Sequence, residues 1–138
     1  MNVETIIKSC IYTIEKKSMG QTIIMGIGLE KITNSEANIT YLSKHLIQEI
    51  NNSLVISQKY GKETNNVHLY LKGCALKSFS LSMMKKLINI LNDTFENTLN
   101  YCYIYDLSAV ATMTWNILRF FLDPVTRKKI LIVKMPKN

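Results

Sequence analysis

Segments with helical spacing alternate with short strand-like runs along all 138 residues, and this alternation restricts the available folds more than any other feature. Val3, Ile6, Ile7, Cys10, Ile11 and Ile14 follow the i, i+3, i+4, i+7 spacing of a helix with one apolar face. Gly20 breaks that pattern, and QTIIMGIG (21–28) reads as a strand. Thr33-Asn34-Ser35-Glu36 has the form of a capping box, with Thr33 as the cap. Behind it Ile39, Leu42, Leu46, Ile47, Ile50 and Leu54 predict a second helix, which Gly61 can terminate. KETNN (62–66) reads as a loop and VHLYL (67–71) as a strand ended by Gly73. Ser78 or Ser80 can cap a third helix, in which Leu81, Met84, Ile88 and Leu91 share a face. YCYIY (101–105) is apolar on both faces, as expected of a strand inside a covered sheet. A fourth helix runs over roughly 109–122 and stops before Pro124, because the residue preceding proline is pushed out of the α conformation. ILIV (130–133) reads as a last, inner strand. The order α-β-α-β-α-β-α-β predicts an α/β fold with right-handed crossovers, its mainly parallel β-sheet flanked by helices. No repeat, linker or low-complexity tract interrupts residues 1–138, so one domain with a real core is expected.

Composition narrows the functional classes. A hydrophobic content of 47% excludes disorder, and 17 Lys and Arg against 10 Asp and Glu give a formal charge of +7, which attracts anionic partners. Cys10, Cys74 and Cys102 are odd in number and far apart, which argues against a disulfide framework or a zinc site and for a reducing compartment. The chain opens without the basic and apolar regions of a signal peptide. Its longest apolar stretch, 101–122, is interrupted by Asp106, Asn116 and Arg119, which excludes a membrane span there. A cytoplasmic protein, at most peripheral to membranes, is expected.

Enzyme signatures are thin. Gly26-Ile27-Gly28 follows a strand but lacks the third glycine of a dinucleotide fingerprint, so it reads as a structural turn. His45 and His68 have no nucleophile in a recognisable motif and read as ordinary packed or surface histidines. No metal-ligand cluster exists, and neither a cofactor nor catalysis is expected. Tyr101, Tyr103 and Tyr105 alternate as a base-stacking strand would, but without interleaved Lys, Arg or Gly. They read as core, and nucleic acid is not an expected partner.

The fourth helix carries more information. Thr112, Asn116, Arg119 and Asp123 form one narrow polar stripe. Val110, Met113, Ile117 and Phe120 lie on one side of it, and Ala111, Trp115, Leu118 and Leu122 on the other. A helix resting on a sheet needs one apolar face. The surplus must meet another protein element, a membrane or a ligand.

Residues 67–133 resemble the second half of the CRAL-TRIO lipid-binding domain, the fold of the phosphatidylinositol/phosphatidylcholine transfer proteins. The resemblance is carried by LYLKG (69–73), the helix over 80–93, FEN (95–97), YIYD (103–106), the apolar helix and FLDPVTRKKI (121–130). The family pattern has Asp-Leu-Lys-Gly, Tyr-Pro-Glu, a strand of the Tyr-Ile-Ile-Asn kind and Phe-Leu-Asp-Pro-x-Thr-x-x-Lys-Ile in the same order. Here Tyr70 stands for the first aspartate, Glu96 for the proline and Asn97 for the glutamate. The family's N-terminal helical lobe has no counterpart in these residues.

The resemblance implies a non-enzymatic clamshell: a sheet floor beneath an apolar gating helix that encloses one phospholipid, with phosphatidylinositol the foremost candidate. Residues 109–122 correspond to the gate, so Val110, Met113, Trp115, Ile117, Leu118, Phe120, Phe121 and Leu122 are implied to form the acyl-chain pocket. Thr126 and Lys129 occupy the positions associated with the inositol phosphate headgroup, with Glu96 and Asn97 beside them. A hydroxyl and an ammonium both donate to anionic oxygens. Arg127 and Lys128 read as a solvated basic turn. A chain this short has a smaller or more open pocket, or closes it as a homodimer. The alternative expectation is a protein-interaction scaffold of the same fold that has lost lipid transfer.

Overall fold

The computed structural model of the chain describes residues 2–33, 35–74, 81–95 and 97–134, with backbone alone at 81–84, 110, 111, 114 and 121. Helix α1 (Val3–Cys10) starts at Asn2, whose side-chain oxygen accepts the Thr5 N–H at 2.8 Å. The isoleucine spacing predicts that this helix continues through Ile14, but the chain leaves it after Cys10. Ile11–Lys16 is instead strand β1, antiparallel to β2 (Met19–Met25), with Ile11 opposite Ile24 and Ile14 opposite Gln21. Ile11, Thr13 and Ile14 are β-branched, so a helix restricts their rotamers while a pleated strand accommodates them. Lys17 and Ser18 close the hairpin, both at φ 56°. Two successive left-handed residues match the right-handed twist of the strands they join.

A short helix, α2 (Gly26–Leu29), occupies the end of the run read as strand. A Cβ on Gly28 would overlap the Cys10 sulfur, and one on Gly26 would crowd Leu71. The glycines therefore serve close packing rather than phosphate binding. Helix α3 (Glu36–Gln58) is capped by Ser35, whose hydroxyl accepts the Asn38 N–H at 3.2 Å; Thr33, the expected cap, lies outside it. Gly61 ends it at φ 72°, and the Lys62 N–H reaches back to the Ser57 carbonyl at 3.1 Å.

Leu42, Leu46, Ile50, Ser53 and Ser57 form the buried stripe of α3. The stripe turns from leucine to serine where the helix comes closest to β2, and there Gly20 N–H donates to Ser57 Oγ at 2.9 Å. Beyond α3 come β3 (Asn65–Tyr70), α4 (Leu81–Thr94), β4 (Leu99–Tyr105), α5 (Ala109–Leu118), a 3-10 turn (Arg119–Phe121), α6 (Pro124–Lys128) and β5 (Ile130–Val133). The third-helix caps proposed at Ser78 and Ser80 lie outside the described residues.

The sheet order is β1-β2-β3-β4-β5, parallel except for the first pair. The expected α/β fold is therefore present, with one more strand than predicted. Helix α3 lies on β1 and β2, α4 packs against α3, and α5 against α4. These helices cover the face that presents Ile24, Val67, Leu69, Cys102 and Ile104. The other face presents Tyr12, His68, Tyr70, Tyr101, Tyr103 and Tyr105.

Two expectations about the sheet are corrected by this geometry. β5 is an edge strand rather than an inner one, with Leu131 40% and Ile132 45% exposed on opposite faces. The tyrosines of β4 are not core either, since Tyr101 is 41% exposed. Tyrosine tolerates that position because its ring packs sideways while its hydroxyl stays wet. The ring centroids of Tyr70 and Tyr105 lie 4.4 Å apart, and those of His68 and Tyr103 5.1 Å.

Candidate functional site

Between the covered face of the sheet and helices α3, α4 and α5 lies a cavity of about 320 Å³. Val67, Leu69, Cys102 and Ile104 form its floor, and Leu87, Ile88 and Leu91 of α4 form part of its wall. Trp115 and Leu118 of α5, with Leu122 just beyond it, close the far side. Burial pushes the Cys102 thiol up to about 12, so it is a neutral, apolar part of the floor.

The two apolar sides of α5 have different surroundings. Trp115, Leu118 and Leu122 face the cavity, whereas Met113, Ile117 and Phe120 are 69%, 49% and 67% exposed and do not line it. The side chains of Val110 and Phe121 lie outside the described residues. Three of the six expected pocket residues with described side chains thus form an outer ridge, spaced i, i+4, i+7 along one helix and its continuing turn.

The expected headgroup residues are less united. Thr126 reaches the cavity wall, but its N–H donates to Asp123 Oδ1 at 2.7 Å and its hydroxyl to Oδ2 at 3.0 Å. Asp123 is the N-cap of α6. The Thr126 N–H and then its hydroxyl hold the Asp123 carboxyl below the usual carboxylate range, and the Lys129 charge adds to this. Lys129, the C-cap of the same helix, is not part of the cavity lining. Asn97 sits in an exposed turn at φ 62°, also away from the lining, and Glu96 lies outside the described residues. Lys128 is exposed as expected. Arg127 departs from the solvated reading, because it is half-buried and donates through Nη2 to the Leu122 carbonyl at 3.1 Å. Its guanidinium carbon lies 5.9 Å from the Phe120 ring centre, and that of Arg119 lies 5.4 Å away.

Sequence reasoning missed the polar end of the cavity. Asn65 and Thr98, adjacent through the Asn65 N–H to Thr98 carbonyl bond at 3.0 Å, line it together with Asn92. Asn65 fell inside a run read as loop. The available signal was its phase, since Asn65, Val67, Leu69 and Leu71 alternate onto one face of β3.

On the opposite face a hydrogen-bonded chain fixes a tautomer. Gln21 Nε2 donates to the Lys16 carbonyl at 3.2 Å, which leaves Oε1 to accept from His68 Nε2 at 2.7 Å. His68 Nδ1 therefore accepts, and the Tyr105 hydroxyl donates to it at 2.8 Å. Burial, and secondarily the Lys16 charge, lowers the His68 pKa from its ordinary value, while burial pushes Tyr105 up to about 12. As pH falls below about 6.5 the unfolded chain binds a proton at His68 before the folded chain does, so this group lowers stability on acidification. Urea midpoints should fall between pH 7 and pH 5, and the fall should be smaller in His68→Gln.

The α/β sheet is thus roofed by helices over an apolar cavity, with a two-sided apolar helix as one wall. The sequence matches the CRAL/TRIO domain family over residues 10–138, and the chain belongs to that family. Among solved structures, the crystal structure of Sfh5, a Sec14-family protein, is similar at a TM-score of 0.62 and 13% identity. The match covers 93% of this chain and 50% of that one, so this chain spans about half the length of Sfh5. No curated protein matches. Among the described residues, no helix is long and apolar enough to cross a membrane.

Proposed function

We propose that this domain binds one lipid in its cavity and exchanges it with membranes across α5, without catalysing a reaction. The observation that carries this reading is the division of α5 into a cavity side and an exposed apolar ridge. A helix standing between a ligand and water needs only the first. A ridge of Met113, Ile117 and Phe120 at the cavity wall suits contact with the bilayer from which a lipid would come. Arg119, Arg127 and exposed Lys128 flank it, and each cation near an anionic leaflet contributes about 1 kcal/mol. The reading requires a cytoplasmic protein that touches membranes transiently. Exchange is feasible because bilayer and cavity solvate apolar chains alike, so the large transfer term cancels and the opening of α5 sets the rate.

Phosphatidylinositol is the ligand implied by the Thr126 and Lys129 positions. The presence of Thr126 in the cavity wall supports that finer assignment, while the hydrogen bonds of Thr126 to Asp123 and the position of Lys129 away from the lining count against it. Transfer of labelled phosphatidylinositol and phosphatidylcholine between vesicles tests the reading, and absence of any carried or transferred lipid would end it. Replacing Ile117 and Phe120 together by serine should reduce binding to phosphatidylserine vesicles at least tenfold, since two exposed apolar side chains are lost. Thermal stability should change little. Vesicle binding equal to that of the wild type would remove α5 as the docking element.

One observation favours a second reading, the protein-interaction scaffold. Tyr12, Ile14, Tyr101 and Leu131 leave the face opposite the cavity partly open, as a surface for a protein partner or a second copy would be. Native mass spectrometry separates the two readings: co-purified lipid supports the first, and a bare dimer the second.

A further inference from the structure

We infer that the outer edge of β5 binds an extended segment of a partner protein, apolar at its centre and acidic at both ends, as a sixth strand of the sheet.

Backbone direction is the first ground. The Lys129 and Val133 carbonyls accept from the N–H groups of Cys102 and Asp106, in β4 and just beyond it, at 2.9 and 3.1 Å. The backbone groups of successive strand residues point to opposite sides, so Leu131 also faces β4. Ile130 and Ile132 then each turn an N–H and a carbonyl away from it. Among the described residues, β5 pairs with β4 alone. An antiparallel segment would meet these four groups in two hydrogen-bonded pairs, which is how sheet edges capture extended peptides.

Side chains select what that segment carries. Register places Ile130 and Ile132 beside Cys102 and Ile104 on the helix-covered face, and Leu131 and Val133 beside Tyr103 and Tyr105 on the other. Leu131 and Ile132 are both exposed, so the open edge presents apolar surface on both faces. Residues directly opposite in an antiparallel pair share a face and touch, so three consecutive apolar residues of the partner would cover Ile130, Leu131 and Ile132. The other edge of the sheet differs, because β1 carries Glu15 and Lys16 within the strand and packs against α3. Charge within an edge strand is a common guard against strand addition, and Ile130–Val133 has none.

Charge decides the occupant. β5 lies between Lys128 and Lys129 at one end and Lys134 at the other, with Lys128 and Lys134 exposed. A second copy paired antiparallel, Leu131 opposite Leu131, would set Lys128 of each strand against Lys134 of the other. Like charges facing across a ladder are destabilising, so these lysines oppose self-pairing. The same lysines attract a segment with carboxylates at each end.

Fluorescence anisotropy of labelled Glu-Asp-Val-Ile-Val-Asp-Glu, blocked at both termini, tests this on the intact protein. Binding should be at least tenfold tighter than that of Lys-Lys-Val-Ile-Val-Lys-Lys. It should weaken several-fold between 0.1 and 1 M salt, where the screening length falls from about 10 to about 3 Å. Methylating the backbone nitrogens of both valines should abolish binding, because those N–H groups meet the Ile130 and Ile132 carbonyls. Methylating the isoleucine nitrogen, which points away, should not. Ile132→Pro removes an outward N–H without touching the ladder to β4, and should weaken binding at least tenfold with the melting temperature within a few degrees of wild type. Should that variant fail to fold, the methylated peptides keep the test on the unaltered protein. Equal binding of the two methylated peptides, equal binding of the acidic and basic ones, or no binding at millimolar concentration would each overturn the assignment. A dimer of the protein that Ile132→Pro dissociates would overturn the acidic partner in favour of a second copy.

Discussion

Gly20→Ala should destabilise the protein by about 3 kcal/mol or more, or prevent folding altogether. A Cβ at Gly20 would overlap the Ser53 carbonyl oxygen and crowd its hydroxyl, and neither can withdraw. The carbonyl belongs to the backbone of α3, and Ser53 is fully buried. Moving the helix outward would lengthen the 2.9 Å bond from Gly20 N–H to Ser57 Oγ and unseat Asn65 from Ser53. Leaving such buried groups unpaired costs about 1–3 kcal/mol each. Gly61→Ala provides the contrast: nothing lies within 4 Å of its Cβ, so only the left-handed φ of 72° is penalised. Urea unfolding of both variants should give a much larger loss at Gly20 than at Gly61. Equal losses would refute the close-approach explanation.

The sequence displays what depends on periodicity and hides what depends on neighbours. The two-sided character of α5 was legible because it is a property of one helix, and its division into Trp115, Leu118, Leu122 and Met113, Ile117, Phe120 survives in the structure. β1 was not legible, because the isoleucines at 11 and 14 satisfy a helical spacing as well as a strand. Pairing with Ile24 and Gln21 decides between them, and that pairing is non-local. The hairpin joining them gave no glycine or asparagine signal, since Lys17 and Ser18 fill its left-handed positions. The tyrosines of β4 posed a similar ambiguity: alternation fixes that Tyr101, Tyr103 and Tyr105 share a face but not whether a helix covers it. The family motif implied a headgroup role for Thr126, which lies in the cavity wall. It could not show that Asp123 takes both Thr126 donors, which is a matter of one capped turn.

Val67→Trp should abolish lipid uptake while leaving the fold as stable as the wild type. Val67 is central to the floor, on β3 between Thr22 of β2 and Cys102 of β4, with its side chain toward the cavity. An indole there would occupy a substantial part of the 320 Å³. Unfilled apolar volume costs about 24 cal/mol per Å³, so filling about 100 Å³ would recover roughly 2 kcal/mol. The rearrangement needed to admit a larger side chain costs a similar 1–3 kcal/mol, so the net change in stability is small. Binding has no such compensation, because the indole and an acyl chain compete for the same space. Lipid carried per protein should fall at least tenfold, with the melting temperature within a few degrees of wild type. A scaffold that works through the tyrosine face would be indifferent to this change. A Val67→Trp protein that folds and still carries lipid would show that the ligand lies elsewhere, and that the space behind α5 is a packing defect rather than a site.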